Sequence, residues 1–289
     1  MIEYRKRRWT LPGHPLPTAL VAAMLIASSP PAVTQEATPD APAGVSDTAA
    51  PTIPEADVPM SDVEEGPPIE PAAVAALTRM GEAIAAMKTF ELKSATSVEI
   101  VLDDDQKLLV EGTADYRARR PDRLRVEMTT DVVHRELVYD GRTVTYASPD
   151  RNVYGSFDAP PTIKAMLERA AATYDLSLPL ADLFDWGTPD APFEKILRAF
   201  KVGEATIGGK SADHYAFRAE DQDWELWLAA EGDPLPLKYS LVDRLDPAGP
   251  RFSATLEWTP REAIPDDEFR FVPPGGMTKI GFLKSEDGK

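Results

Sequence analysis

Between residues 91 and 258 the chain is a succession of short segments in which apolar and polar residues alternate, separated by clusters of Asp, Gly, Pro, Ser and Asn. Alternation with period two sends successive side chains to opposite faces of an extended chain, and turn residues at this spacing leave little room for crossover helices. Arg123 to Thr129 shows it most clearly, with Leu124, Val126 and Met128 on one face and Arg123, Arg125 and Glu127 on the other. A strand of this kind has one dry and one wet face, the pattern of an antiparallel sheet packed on one side.

The neighbouring segments extend the same meander. Glu91 to Leu102 and Lys107 to Arg117 flank Asp103-Asp104-Asp105 as a hairpin, and Val132 to Tyr139, Arg142 to Ala147 and Val153 to Phe157 follow through Asp140-Gly141 and Ser148 to Asn152. A second set runs Lys201 to Ile207, Gly208-Gly209, Ser211 to Ala219, Trp224 to Ala229, Leu237 to Val242 and Arg251 to Trp258, closing with Phe269-Arg270-Phe271. Together these predict about eleven short strands.

Helical spacing appears twice. Pro71 opens a stretch to about Lys88 in which Val74, Leu77, Ile84 and Met87 share one face. Between the strand sets, Thr162 to Tyr174, Leu180 to Phe184 and Phe193 to Phe200 read as a helical insert. The fold class expected is α+β, mainly β, with an N-terminal helix and the insert available to cover one face of a large curved antiparallel sheet.

The N-terminus is built differently. Arg5-Lys6-Arg7-Arg8 precedes the apolar run Leu20 to Ala27 and the small residues Ser28 to Thr34, the order of a signal peptide, so residues 1–34 are assigned as one and the protein as exported to the periplasm. The run is too short for a membrane span of about 20 residues, although an anchor is the alternative reading, and Arg7-Arg8 leaves the twin-arginine route open. Residues 35–70 contain nine acids but no Lys, Arg or aromatic residue, a composition that cannot bury enough apolar surface to order, and are read as an acidic linker. The folded domain is therefore 71–289. With no cysteine, disulfides, thiolate metal sites and an acylated-cysteine anchor are excluded, so no stable membrane attachment is expected after signal cleavage. The net charge of −17 argues against nucleic acid and anionic lipid surfaces as partners.

Catalytic constellations are absent from the pattern. His134 and His214 lie in separate strands without companions at metal-ligand spacing, Asp103-Asp104-Asp105 and Asp221-Gln222-Asp223 read as solvated turns, and no nucleophile elbow, P-loop or dinucleotide fingerprint occurs. No metal, cofactor or enzymatic activity is expected, a carboxylate-pair hydrolase being the one enzyme class that spacing leaves open. The apolar faces are more informative: Leu124, Val126, Met128, Leu137, Tyr139 and Tyr146 form a broad dry surface, with Trp224, Trp227 and Trp258 adding bulk in the second strand set. Such a surface either walls a cavity for an apolar ligand or is filled by the helices that cover it.

Arg119-Arg120-Pro121-Asp122-Arg123-Leu124-Arg125-Val126-Glu127-Met128, followed by Tyr139-Asp140-Gly141-Arg142-Thr143-Val144, resembles the strand, turn, strand core of periplasmic outer-membrane lipoprotein carriers of the LolA/LolB type. Asp266 to Gly276 resembles the way those carriers end. Ala159-Pro160-Pro161-Thr162 and Leu178 to Gly187 are similar to a group of predicted periplasmic proteins of unknown function that share the carrier-like fold. The resemblance implies an incomplete, strongly curved β-barrel under a helical lid, binding a lipid, an acylated protein or another apolar ligand. It implies a ligand wall of Leu124, Val126, Met128, Leu137, Tyr139 and Tyr146 and a lid-holding, gating role for Arg120. An envelope regulatory sensor, with a protein partner, is the alternative on the same fold.

Overall fold

The computed structural model describes residues 68–189 and 191–282. The expected signal peptide, and the linker up to residue 67, lie outside the described residues. Pro68 to Glu70 are already tied to the sheet: Ile69 bridges Ala199 in parallel, and the Glu70 carboxylate accepts from the Lys201 amide at 3.0 Å.

Twelve strands form one unclosed, curved sheet. After helix α1 (Pro71–Ala86) come β1 (Thr89–Val101), β2 (Lys107–Arg119), β3 (Arg123–Thr130), β4 (His134–Tyr139), β5 (Thr143–Ser148) and β6 (Val153–Asp158). Helix α2 (Ile163–Tyr174) and an irregular stretch with 3-10 turns at Ala181–Phe184 and Phe193–Lys195 lead to the second set. That set is β7 (Arg198–Ile207), β8 (Lys210–Arg218), β9 (Gln222–Ala229), β10 (Pro236–Asp243) and β11 (Arg251–Pro260), with β12 (Thr278–Lys279) last. The spatial order is β12-β6-β5-β4-β3-β2-β1-β11-β10-β9-β8-β7. Each half is thus a meander, and the halves join where β1 pairs antiparallel with β11, Phe90 opposite Pro260 and Val98 opposite Phe252.

Turn chemistry fixes the registers. Asp140 Oδ1 accepts from the amides of Arg142 and Thr143 while Gly141, at φ 94°, takes the left-handed position of the β4–β5 turn. Gly208 and Gly209, both at positive φ, make the two-residue β7–β8 turn. Helix α2 starts where Thr162 Oγ1 accepts from the Ala165 amide and stops where Asp175 turns left-handed.

The structure differs from the pattern in several places, beginning with the short strand β12, which the pattern does not show. Of the expected helix over Phe193–Phe200 only the turn Phe193–Lys195 is helical, because Ala199 is claimed by strand pairing on both sides, opposite Phe217 of β8 and bridged to Ile69. The expected strand Phe269-Arg270-Phe271 is instead the end of a 3-10 turn, Asp266–Phe269, with the Phe269 ring buried beneath the Arg119 guanidinium. Trp227 faces away from the core, stacked at 4.1 Å on His214 with Lys238 Nζ 4.7 Å from its centroid, while Trp224 is core and Trp258 partly buried.

Leu77, Met80 and Ile84 of α1 and Met166 and Ala170 of α2 pack with the concave faces of both strand sets into one core. A smaller cluster of Val98, Ile100 and Val110 sits where the β1–β2 hairpin projects past β11.

Candidate functional site

The concave face is where the sequence places the ligand wall, and the structure gathers the named residues there. Leu124, Val126 and Met128 of β3 and Leu137 and Tyr139 of β4 are fully buried, aligned across the β3–β4 pair with Leu124 opposite Tyr139 and Val126 opposite Leu137. Tyr146 of β5 stands opposite Leu137 on the next strand, half-buried against Phe282 of the C-terminal segment, which also meets Phe157 and Tyr174. That segment enters this edge through β12, and a Cβ on Gly155 would stand 2.7 Å from the Phe282 ring, so the phenylalanine seats on the glycine.

A lid formed by residues 175–189 and 191–197 closes the concave face. Leu176, Leu178, Leu180, Leu183, Phe184 and Trp186 all turn inward and are buried, so the space between sheet and lid is filled by side chains of the chain itself. Phe184 stacks on Phe90 at 5.9 Å and Trp186 on Trp224 at 6.2 Å. Leu180 pays for its inward position with a φ of 61°, a left-handed conformation that a branched-chain residue adopts at a cost of roughly 1–2 kcal/mol. Helix α1 presses on the lid so closely that its Gly81 has no room for a side chain: a Cβ there would meet Trp186 O at 2.2 Å, and one on Gly187 would meet Gly81 O at 2.1 Å.

Three tyrosine hydroxyls bond this cover to the sheet. The Tyr116 hydroxyl donates to Pro179 O, the Tyr139 hydroxyl to Pro160 O ahead of α2, and the Tyr239 hydroxyl to Asp182 Oδ2 at 3.0 Å. Burial, the largest influence, raises the Asp182 carboxyl to about 7 against the Tyr239 bond that lowers it, with the Asp185 charge adding to the rise. Burial likewise pushes the Tyr116 and Tyr239 hydroxyls well above the ordinary phenol value, reinforced by the charge of Asp182. This carboxyl and its two tyrosines escaped the sequence reading; the one available sign was an acid set inside the apolar run Leu180-Ala181-Asp182-Leu183-Phe184.

Arg120 stands at the end of β2, two residues on from Ala118 and four from Tyr116, both buried on the concave side. Its guanidinium carbon lies 5.4 Å from the centroid of the Phe184 ring, so sheet and lid meet through a cation–π contact. Its Nε and Nη2 atoms are buried and bond to nothing, and burial lowers its pKa from the ordinary arginine value. The arginines around it are all paired: Arg117 with Glu268, Arg119 with Asp266, Arg123 with Asp122 and Arg125 with Glu136.

A groove of about 650 Å³ lies against β2, β1 and β11. Its lining includes Lys93, Asp115 and Glu257, which are directly opposite one another across β2, β1 and β11, with Ala95, Thr113 and Thr255 beside them. The buried Ser94, Leu237 and Leu256 also line it, together with Ile207, Gly208 and Lys210 at the β7–β8 turn. Among the described residues no group of three or more His, Asp or Glu side chains could hold a metal ion, and no helix is long and apolar enough to cross a membrane.

Comparison with solved structures finds similarity to an uncharacterized conserved protein from Thermus thermophilus, 13% identical over 73% of this chain and 99% of that one, at a TM-score of 0.42. The lipoprotein LppX from Mycobacterium tuberculosis is similar at 12% identity over 68% of this chain and 100% of its own, with a TM-score of 0.40. A LolA superfamily protein from Nitrosomonas europaea matches at 12% identity over 69% and 97% of the two chains, with a TM-score of 0.32. No curated protein sequence matches the chain. A family profile described as predicted periplasmic protein (DUF2092) matches residues 73–283.

Proposed function

The chain belongs to the DUF2092 family of predicted periplasmic proteins, and from that premise we propose that it binds a lipid, an acyl chain or another apolar ligand between the concave face of its sheet and the lid. The observation that carries this reading is the construction of the cover. A continuous apolar sheet face is closed by two helices and an irregular segment, and three tyrosine hydroxyls supply the polar links described above.

Magnitudes favour exchange over permanent closure. Six inward lid side chains, at about 2 kcal/mol each for burial, hold the lid down with about 12 kcal/mol of apolar contact. An acyl chain of about fifteen methylenes, at about 0.8 kcal/mol each, brings a similar amount. A ligand that takes the place of the lid side chains therefore meets a nearly balanced exchange, as loading and unloading require. In this reading Leu124, Val126, Met128, Leu137 and Tyr139 are the wall, Tyr146 lies at its far end, and Arg120 releases or retains the lid through Phe184.

Native and denaturing mass spectrometry of protein purified from the periplasm, with solvent extraction, tests this. A stoichiometric apolar molecule, lost on extraction and regained on incubation with lipid, is the expected result. Protein that leaves the cell free of lipid and takes none up overturns carriage, and an envelope protein captured by that lipid-free form would establish the interaction role instead.

A further inference from the structure

We propose that Arg120 is the headgroup anchor of this site, so that the ligand is an amphiphile ending in a carboxylate or phosphate rather than a neutral one. The inference rests on the binding role proposed above and adds the chemistry of the ligand's polar end.

The two unpartnered atoms of Arg120, Nε and Nη2, form one side of the guanidinium. That side presents two parallel N–H groups, the fork that accepts a carboxylate or phosphate through paired hydrogen bonds. In the closed form the fork is shut away from water and left empty, while each arginine nearby has its carboxylate. A buried charged donor without an acceptor is costly, and the Phe184 ring compensates only the face of the guanidinium and not its edge.

The position suits a headgroup. Arg120 follows Ala114, Tyr116 and Ala118 on the concave side of β2 and lies just past the last residue of that strand, where the apolar interior ends. The ring over its face belongs to the lid, so a lid displaced by an entering tail releases the guanidinium from that contact at the same moment. The neighbouring phenol Tyr116 is occupied by Pro179 O and the Asp182 carboxyl by Tyr239, whereas Arg120 keeps two donors without an acceptor.

The test compares cis-parinaric acid with its methyl ester by fluorescence titration against the wild-type chain, Arg120→Gln and Arg120→Lys. The two probes share a tail and differ in the anionic head. The acid is expected to bind wild type at least tenfold more tightly than the ester, with the ratio falling to about one in Arg120→Gln and to an intermediate value in Arg120→Lys, which keeps the charge and loses the fork. Equal binding of acid and ester to wild type, or a ratio that survives in Arg120→Gln, overturns the anchor and leaves apolar binding standing. Failure of both probes to bind wild type overturns apolar binding itself, and the anchor with it. Free acetate should not displace the acid; if it does at equal concentration, the fork is a site for small anions and the headgroup assignment fails.

Discussion

Replacing Asp182 with asparagine should stabilise the protein at neutral and alkaline pH, although it removes a charge that accepts a hydrogen bond. The Asp182 carboxyl lies against Tyr239 under the lid, and its pKa is raised from 3.8 to about 7. In the unfolded chain the same group ionises near its ordinary value. Below about pH 4 both states carry the proton and the carboxyl has no effect on folding. As pH rises from there towards 7 the unfolded state loses its proton while the folded state retains it, so stability falls by about 1.4 kcal/mol per pH unit and levels off once the folded carboxyl ionises. The full interval corresponds to about 4 kcal/mol, and because Asp182 as a residue keeps partial exposure, about 2–4 kcal/mol is the range to expect. Asparagine mimics the protonated acid, since its carbonyl accepts the Tyr239 hydroxyl and it never ionises. Urea unfolding of wild type and Asp182→Asn at a series of pH values should give coincident stabilities near pH 4 that diverge in favour of the variant by pH 8. Parallel curves across that range, or a variant less stable than wild type at pH 8, would refute the argument that burial governs this carboxyl.

Gly81→Ala should cost about 1–3 kcal/mol or more, because its Cβ meets backbone of the lid and not a flexible side chain, and an unchanged melting temperature would contradict the close helix–lid contact. Phe282→Ala opens the aromatic cluster with Tyr146, Phe157 and Tyr174 and should lose about 1–3 kcal/mol in urea unfolding, with a change in near-ultraviolet circular dichroism that a merely solvent-exposed phenylalanine would not give. Asp150→Ala removes the carboxylate from the buried Arg135, whose side chain is 4% exposed, and should cost about 2–3 kcal/mol at neutral pH, with the difference from wild type shrinking in acid as the native carboxylate is protonated.

The strands were legible because burial and alternation coincide in them. Leu124, Val126 and Met128 are dry and Arg125 and Glu127 are wetter, as period two demands. Where one residue is claimed by distant partners, local pattern misleads. Ile196 and Ala199 have helical spacing, yet Ala199 belongs to a strand because Phe217 and Ile69 meet it there. Thr278-Lys279 is too short for periodicity to register, and its pairing with Val153 and Tyr154 follows only from where the chain has been carried by then. The candidate wall could be read from apolar faces, while the content of the interior could not. Nothing in Leu178-Pro179-Leu180 announces that these leucines turn inward, one of them through a left-handed backbone. Arg120 could be singled out through family resemblance, but its empty fork depends on which neighbours took the surrounding carboxylates, and that is a property of assembled space.

The seam between β1 and β11 has a consequence for the order in which this sheet can be completed. Nearly every other pairing joins strands adjacent in sequence and closes a short loop, whereas Phe90 must wait for Pro260 and Val98 for Phe252. Closing so long a loop costs entropy that local hairpins do not, so the two meanders can form before the contact that unites them. As the chain is synthesised, amino-terminus first, β1 emerges with one edge paired to β2 and the other bare, and it stays bare until the second meander has emerged. That transient edge offers a row of unpaired amides and carbonyls to any passing strand. Folding of this protein is therefore a race between its own eleventh strand and foreign ones.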